Sequence, residues 1–479
     1  MKRFVLLAAL LVTTVANAAV PPITQHLSPN GLTVLVVENH SLPLVTIEIA
    51  AKNGSMTEPP EYNGLSHLYE HMFFKANNQL PDQEAWLARA SALGLSWNGT
   101  TSQERVNYFV TTTSDHFRDA MTFMRDAVVS PLFDPKELER ERVVVTGEID
   151  RNEANPFYHF NHEVARRLWW KYPTRKDPLG SRQTVLTATT EKMKLIQSRY
   201  YIPNNSVLVI TGDVTAADVF SLTDQLYKAW HKAENPFVKL PLVKHPVIPY
   251  TSVVLVEQPV RAPIVRFSWH GPSTVGKDVD LTYAADLLSY ALGESSSKFQ
   301  RALVDSGACA NVGPLSWYTQ MNTGPISVTA QAQPEKIDEC TKAILAELPK
   351  LMEPDYLSDD ELANAAFRAE VDQIRQREKP SELANNLTFW WTSAGLDYYK
   401  NYVANMRKSG RAEIKRYLDT YVIGKPMVFG AMVSPQMVKE LHLDQAHFEQ
   451  IVSGKTWVAP SAPEGMPALV TESRKEGGK

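Results

Sequence analysis

His67, Glu70 and His71 lie within one short stretch, Gly64-Leu65-Ser66-His67-Leu68-Tyr69-Glu70-His71-Met72-Phe73-Phe74-Lys75, and are spaced His-x-x-Glu-His. On a helix, residues four apart share a face, so both imidazoles can reach one cation. Glu70 is three residues from His67 and beside His71, so it points into the same space without needing to be a ligand. A carboxylate there can take a proton from an attacking water. Leu65, Leu68 and Met72 recur at helical spacing and can pack the turn rigidly. The same five-residue pattern also occurs on surface helices with two solvated histidines, so the rest of the chain must discriminate.

A hydrolytic metal site usually has three protein ligands and an open position. The third ligand here could be any Asp, Glu or His. A well-marked helix start, Asp134-Pro135-Lys136-Glu137, has an N-cap, a proline at the first helical position and a capping-box glutamate. It predicts a helix from Pro135 to about Asn152. That helix places Glu141 and Glu148 two turns apart on one face.

The elements that must position these residues follow in order. Leu32 to Val37 and Leu44 to Ala50 read as strands, ahead of the His-x-x-Glu-His helix. Gln83 to Gly94 reads as a helix, Ser96 to Ser102 and Val106 to Thr111 as strands, and Asp115 to Val129 as a helix. Helices are expected at Tyr158 to Trp170, Thr190 to Tyr200 and Ala216 to Trp230, with a buried strand at Asn205 to Gly212. Four prolines between Asn235 and Tyr250 mark a linker. The chain then starts again: Val254-Leu255-Val256-Glu257 echoes Leu35-Val36-Val37-Glu38, an offset of 219 (257 − 38). A repeat that long means two similar domains. The predicted class is α+β, two repeated α/β sandwich domains, each a mixed sheet with helices packed on one face. The expected division is 19–235, a linker at 236–250, 251–456, and a loose tail at 457–479.

The chain has 479 residues, 44% hydrophobic and 21% charged, with net charge −4. Nothing in that balance, and no Lys/Arg run, points to nucleic acid. Lys2-Arg3, the apolar run Phe4 to Val15 and Ala16-Asn17-Ala18 form a cleavable signal peptide over residues 1–18, which implies export to the periplasm. No later stretch is long and apolar enough for a membrane span. Cys309 and Cys340 either pair in an oxidising compartment or remain buried thiols.

Together, His67-Leu68-Tyr69-Glu70-His71 and Glu141-Arg142-Val143-Val144-Val145-Thr146-Gly147-Glu148 resemble the pitrilysin (insulinase) family of zinc metallopeptidases. In that family the third zinc ligand lies 77 residues past the second histidine, and here Glu148 does (148 − 71). A second family glutamate, seven residues earlier, is matched by Glu141. Asp177-Pro178-Leu179-Gly180 and Arg199-Tyr200-Tyr201-Ile202-Pro203-Asn204-Asn205 are also similar, so the likeness spans most of the chain. The resemblance implies one Zn2+ per chain held by His67, His71 and Glu148. It makes Glu70 the general base and Glu141 a carboxylate that orients a ligand. It implies a peptide substrate held along an edge strand at Asn98, within Trp97-Asn98-Gly99-Thr100-Thr101. Asn98 can equally be an ordinary turn residue.

One departure matters. Family members carry an Arg and a Tyr seven residues apart in the second repeat, after a helix resembling Ser295 to Leu303. The aligned residues here are Leu303 and Ala310, and neither can donate to an oxyanion. The expectation is therefore an exported zinc endopeptidase. It would be the zinc-bearing half of a clamshell whose second subunit, in a heterodimer or a homodimer, supplies that pair. The alternative is a non-catalytic scaffold or peptide-binding subunit of the same fold. His159 and His162 are read as solvated helix histidines, and Phe389-Trp390-Trp391 with Tyr398-Tyr399 as core packing or a subunit contact.

Overall fold

The computed structural model describes residues 22–453. Two mixed sheets organise it. The first contains β1 (Thr24–Leu27), β2 (Thr33–Glu38), β3 (Leu44–Ala51), β4 (Ser96–Thr101), β5 (Val106–Thr113) and β6 (Ser206–Gly212), in the order β1-β2-β6-β3-β5-β4. The second contains β7 (Ser252–Glu257), β8 (Ile264–His270), β9 (Asn311–Val312), β10 (Ser316–Trp317), β11 (Pro325–Gln331) and β12 (Val428–Val433). Its order is β10-β11-β8-β12-β7, with β9 also on β11. β2 runs parallel to β6 and β7 parallel to β12, and the other pairs are antiparallel. The expected two-domain α+β class is what the chain adopts.

The first sheet is buried on both faces, which is why β2 reads as an unbroken apolar run rather than an alternation. Val34 and Val36 face a core built with Leu65, Leu68 and Met72. Leu35 and Val37 face the opposite side, against Leu383, Ala384 and Leu387. On the first of these faces lie α1 (Leu65–Phe73), α2 (Gln83–Ala92) and α3 (Phe117–Val129), followed in the chain by α4 (Pro135–Glu153) and α5 (Pro156–Leu168). Their counterparts beyond the linker are α6 (Asp280–Leu292), α7 (Asp359–Arg375) and α8 (Pro380–Ser393).

α5 and α8 are exchanged between the halves. α8 covers the back of the first sheet, and α5 covers the back of the second, where Phe160, Val164 and Leu168 meet Val254, Val256, Val428 and Met432. The approach of α5 is close enough to need a glycine: a Cβ on Gly430 would lie 2.6 Å from Val164 Cγ2. Trp390, Trp391 and Tyr399 belong to the α8 contact, so the aromatic run is core packing between halves.

Three expectations change. Helices cover both faces of each sheet rather than one, because α8 and α5 bury the apolar residues on the back. The helix predicted to end at Trp230 ends at Leu226, because the Asn30 side-chain amide donates to the Tyr227 and Trp230 carbonyls and holds the chain in a turn. β1 was not expected, since Thr24-Gln25-His26-Leu27 is mostly exposed and carries no apolar period. Cys309 and Cys340 are bonded to each other. Among the described residues no helix is long and apolar enough to cross a membrane. The signal-peptide and tail segments lie outside the described residues.

Candidate metal centre

α1 is short, and its first turn is held from outside. Gly64 precedes it with φ 91° and no side-chain cap. Glu58 supplies the cap instead, accepting from the Gly64 N–H at 2.8 Å and the Ser66 N–H at 2.6 Å. Gly180 (φ 79°) sits on the same turn, where a Cβ would fall 2.1 Å from Gly64 Cα. The Asn63 side-chain amide donates to the Thr174 and Asp177 carbonyls. The Asp177 to Gly180 segment thus serves the fold by locking the start of α1.

α1 and α4 then bring three ligand atoms together. His67 Nε2 and His71 Nε2 are 3.3 Å apart, and Glu148 Oε2 lies 3.5 Å from the first and 3.6 Å from the second. A tetrahedral cation with bonds of about 2.1 Å sets its ligand atoms about 3.4 Å apart. Burial, then the neighbouring His71, push the His67 imidazole down to about 4, so it is neutral with a free lone pair. His71 Nδ1 meets Glu141 Oε2 at 3.0 Å, which orients the ring and leaves Nε2 for a metal. Burial opposes charge on His71, but Glu141, Glu70 and Glu148 outweigh it and raise its pKa. His67, His71 and Glu148 could hold a cation, and nitrogen–nitrogen–oxygen donors suit zinc.

Glu141 is buried and also paired with Lys75 Nζ at 2.5 Å. Burial raises its pKa, but His71 and Lys75 overcome that and hold the carboxyl below its usual range. Glu70 points into the same space. Burial raises its pKa, against the pull of His71 and of Thr101, whose hydroxyl donates to Glu70 Oε2 at 2.9 Å. These groups line a cavity of roughly 510 Å3 with Phe74, Gln83, Trp97 and Val144. β4, an edge strand, forms one wall.

Asn98 lies on β4 with its side chain exposed and its Oδ1 accepting from the Gly99 N–H at 2.9 Å. Alternation along the strand turns it away from the face that Gly99 and Thr101 present to Glu70. Asn98 is nonetheless among the residues that line the cavity. His159 binds the Glu153 carbonyl and His162 stacks on Tyr158, so neither joins the centre. Leu303 is buried in the second core within a π-helical turn at Arg301–Asp305, and Ala310 makes a backbone bond to Gln331.

Sequence reasoning assigned no role to Glu58, Lys75 or Thr101. Lys75 carried the one usable signal: a cation four residues after His71, in the turn just beyond α1. Glu58 and Thr101 reach the site only through loop and strand geometry.

Residues 33–177 match the insulinase family (peptidase family M16), and residues 187–368 match the peptidase M16 inactive domain. Zinc protease PqqE of Helicobacter pylori is 25% identical over 394 residues, covering 80% of this chain and 87% of that protein. An uncharacterised zinc protease of Rickettsia felis is 23% identical over 352 residues, covering 73% and 82%. Human insulin-degrading enzyme is 27% identical over 225 residues, 45% of this chain and 22% of that enzyme. Among solved structures, a protease from Helicobacter pylori superposes with TM-score 0.76 at 21% identity, covering 86% of this chain and all of that one. The first half of the periplasmic protease PqqL from Escherichia coli superposes with TM-score 0.73 at 16% identity, covering 93% and 100%. The chain belongs to peptidase family M16, the insulinase or pitrilysin family of zinc peptidases.

Proposed function

We propose that this chain is an exported zinc-dependent endopeptidase acting on peptides or unfolded segments. The observation that carries the reading is the convergence of His67 Nε2, His71 Nε2 and Glu148 Oε2, all within 4.8 Å of one another, with Glu70 beside them on an open cavity. Relatives named zinc proteases support it. A zinc ion in this donor set supplies Lewis-acid polarisation of the scissile carbonyl and lowers the pKa of water toward ~7. Glu70 takes the proton from the attacking water and delivers it to the departing amine. Glu141 and Lys75 keep the His71 ring in register. A peptide added antiparallel to β4 presents its carbonyls by backbone pairing, with little reading of sequence.

Residues 19–235 form the catalytic domain and 251–456 its inactive repeat, joined by 236–250. The oxyanion donors come from a second subunit of the same fold, because Leu303 and Ala310 cannot supply them. The match of this chain to the first half of PqqL supports such a pairing. Export to the periplasm follows from residues 1–18 and agrees with the Cys309–Cys340 disulfide. The missing donors also favour a second reading, a subunit that holds peptide without cutting it.

The test is to purify the mature chain, quantify zinc, and follow a quenched peptide beside Glu70→Gln. One zinc per chain with turnover lost in the variant is expected, in the chain alone or with its partner. Zinc without turnover under either condition selects the peptide-holding reading. No bound metal overturns both the centre and the peptidase.

A further inference from the structure

A glutamate on an open helix face has three rotatable bonds, and holding it in one pose costs rotamer entropy. Glu70 does not bear that cost alone. Its Oε2 accepts from Thr101 Oγ1 at 2.9 Å. Its Oε1 lies against the β4 backbone, where a Cβ on Gly99 would be 2.9 Å away. That same Cβ would meet the Phe74 ring at 3.0 Å, so the carboxylate, the ring and the strand are packed together.

β4 is itself braced on its other face. Thr100 Oγ1 donates to Asn107 Oδ1 at 2.5 Å, and the Asn107 amide donates to Glu48 Oε1 at 2.8 Å. Glu48 is fully buried and accepts from Thr388 Oγ1 of α8 at 2.5 Å. Arg105 Nη1 donates to that Thr388 oxygen and to the Asn385 carbonyl, both at 2.7 Å. The edge strand is therefore tied to a helix contributed by the second half. These bonds link β4 to α8, although Glu48 Oε2 and Arg105 Nε have no hydrogen-bond partner among the described residues.

We propose that Thr101 is a positioning residue for the reaction: its hydroxyl, carried on a strand braced from both halves, fixes the Glu70 carboxylate. The proposal rests on the peptidase reading above. It makes one strand responsible for two alignments. The β4 backbone sets where a bound peptide lies, and the Thr101 side chain on the same strand sets where the base lies relative to it. Substrate and base then share a single reference, which is what a near-attack geometry requires.

Thr101→Val removes the hydroxyl and keeps the shape, whereas Thr101→Ser keeps the hydroxyl. The experiment compares both with the parent, alone and in the Glu70→Gln background. The measured quantities are kcat, KM, the zinc dissociation constant by chelator competition, and the 13C carboxyl resonance of Glu70. That resonance is assigned by its loss in Glu70→Gln. Thr101→Val is expected to lower kcat about tenfold, the size of one hydrogen bond to a charged group. KM and zinc affinity should stay within about twofold. Thr101→Ser should restore kcat to within about threefold, and Thr101→Val should add nothing once Glu70 is Gln. The Glu70 resonance should move and broaden in Thr101→Val and not in Thr101→Ser. Equal loss in both variants, loss through zinc affinity, or an unmoved resonance would overturn the proposal. Full activity in Glu70→Gln would instead overturn Glu70 as the general base, and no turnover in the parent would overturn the peptidase reading. The resonance decides the role of Thr101 even if no turnover is found.

Discussion

The two halves share a strand order apart from β1, and differ in what they place between one helix pair and along one sheet edge. A shift of 219 carries the buried Leu65, Leu68, Tyr69, Met72 and Phe73 of α1 onto Ala284, Leu287, Leu288, Ala291 and Leu292 of α6, all buried. A shift of 224, between the caps Asp134 and Ser358, carries Leu138, Glu141 and Val145 of α4 onto Leu362, Ala365 and Ala369 of α7, again all buried. Under the same shifts His67, His71 and Glu148 become Asp286, Tyr290 and Asp372. The second half therefore keeps the helix pair and loses the donors. Tyr290 donates to Asp372 at 3.1 Å, and Asp286 is satisfied by the Tyr402 hydroxyl at 2.7 Å. Lys75 and Val144 become Glu294 and Arg368, which pair across the two helices. The edge strand differs too. β4 is continuous, whereas its counterpart is split into β9 and β10 around Gly313-Pro314, where a peptide could not pair along its length. A core pattern fixes the scaffold, while chemistry depends on what the same scaffold exposes between two helices and along one edge.

The comparison can be broken most strongly at the base. Glu70→Gln should lower kcat about 10³-fold with zinc still bound, whereas Ser289→Ala at the equivalent place in α6 should leave turnover unchanged. The pair is read by peptide cleavage with metal analysis. Next comes the Cys309–Cys340 bond, which spans 31 residues of the second half only. Cys309→Ser with Cys340→Ser should cost about 2–4 kcal/mol of unfolding free energy by denaturant titration. The zinc dissociation constant should not move, which would show that the chemical half tolerates damage to the other.

A smaller effect is expected behind the ligands. Glu141→Gln weakens the tie to His71 and the pair with Lys75, and should weaken zinc binding 10- to 100-fold in chelator competition. The second half has only Ala365 at that place. The smallest effect tests what replaced His67. Burial pushes Asp286 up to about 7, with the Tyr402 hydrogen bond pulling the other way. The folded chain thus holds a proton that the unfolded chain, near 3.9, has released. Its stabilising contribution is complete below about pH 4 and lost as pH rises through about 7. Asp286→Asn should raise Tm most at pH 8, less at pH 5, and leave it unchanged below about pH 4, as followed by calorimetry.

The sequence by itself showed the doubled architecture and named the candidate ligands and candidate base, Glu148 through the family resemblance. Each is local or periodic: four residues between His67 and His71, a capped helix carrying Glu141 and Glu148, and apolar runs repeated at one offset. Such signals survive in one dimension because helix and strand geometry convert spacing into direction. Only the tertiary structure decided what holds those groups still. The cap from Glu58, the Gly64–Gly180 contact, the Thr101 hydroxyl on Glu70 and the exchange of α5 and α8 all join residues whose separation in the chain carries no period. The Cys309–Cys340 pairing likewise needed the fold, since composition leaves both arrangements open. Their positions are set by how the two sheets and their helices close on one another, and that packing is cooperative across the whole chain.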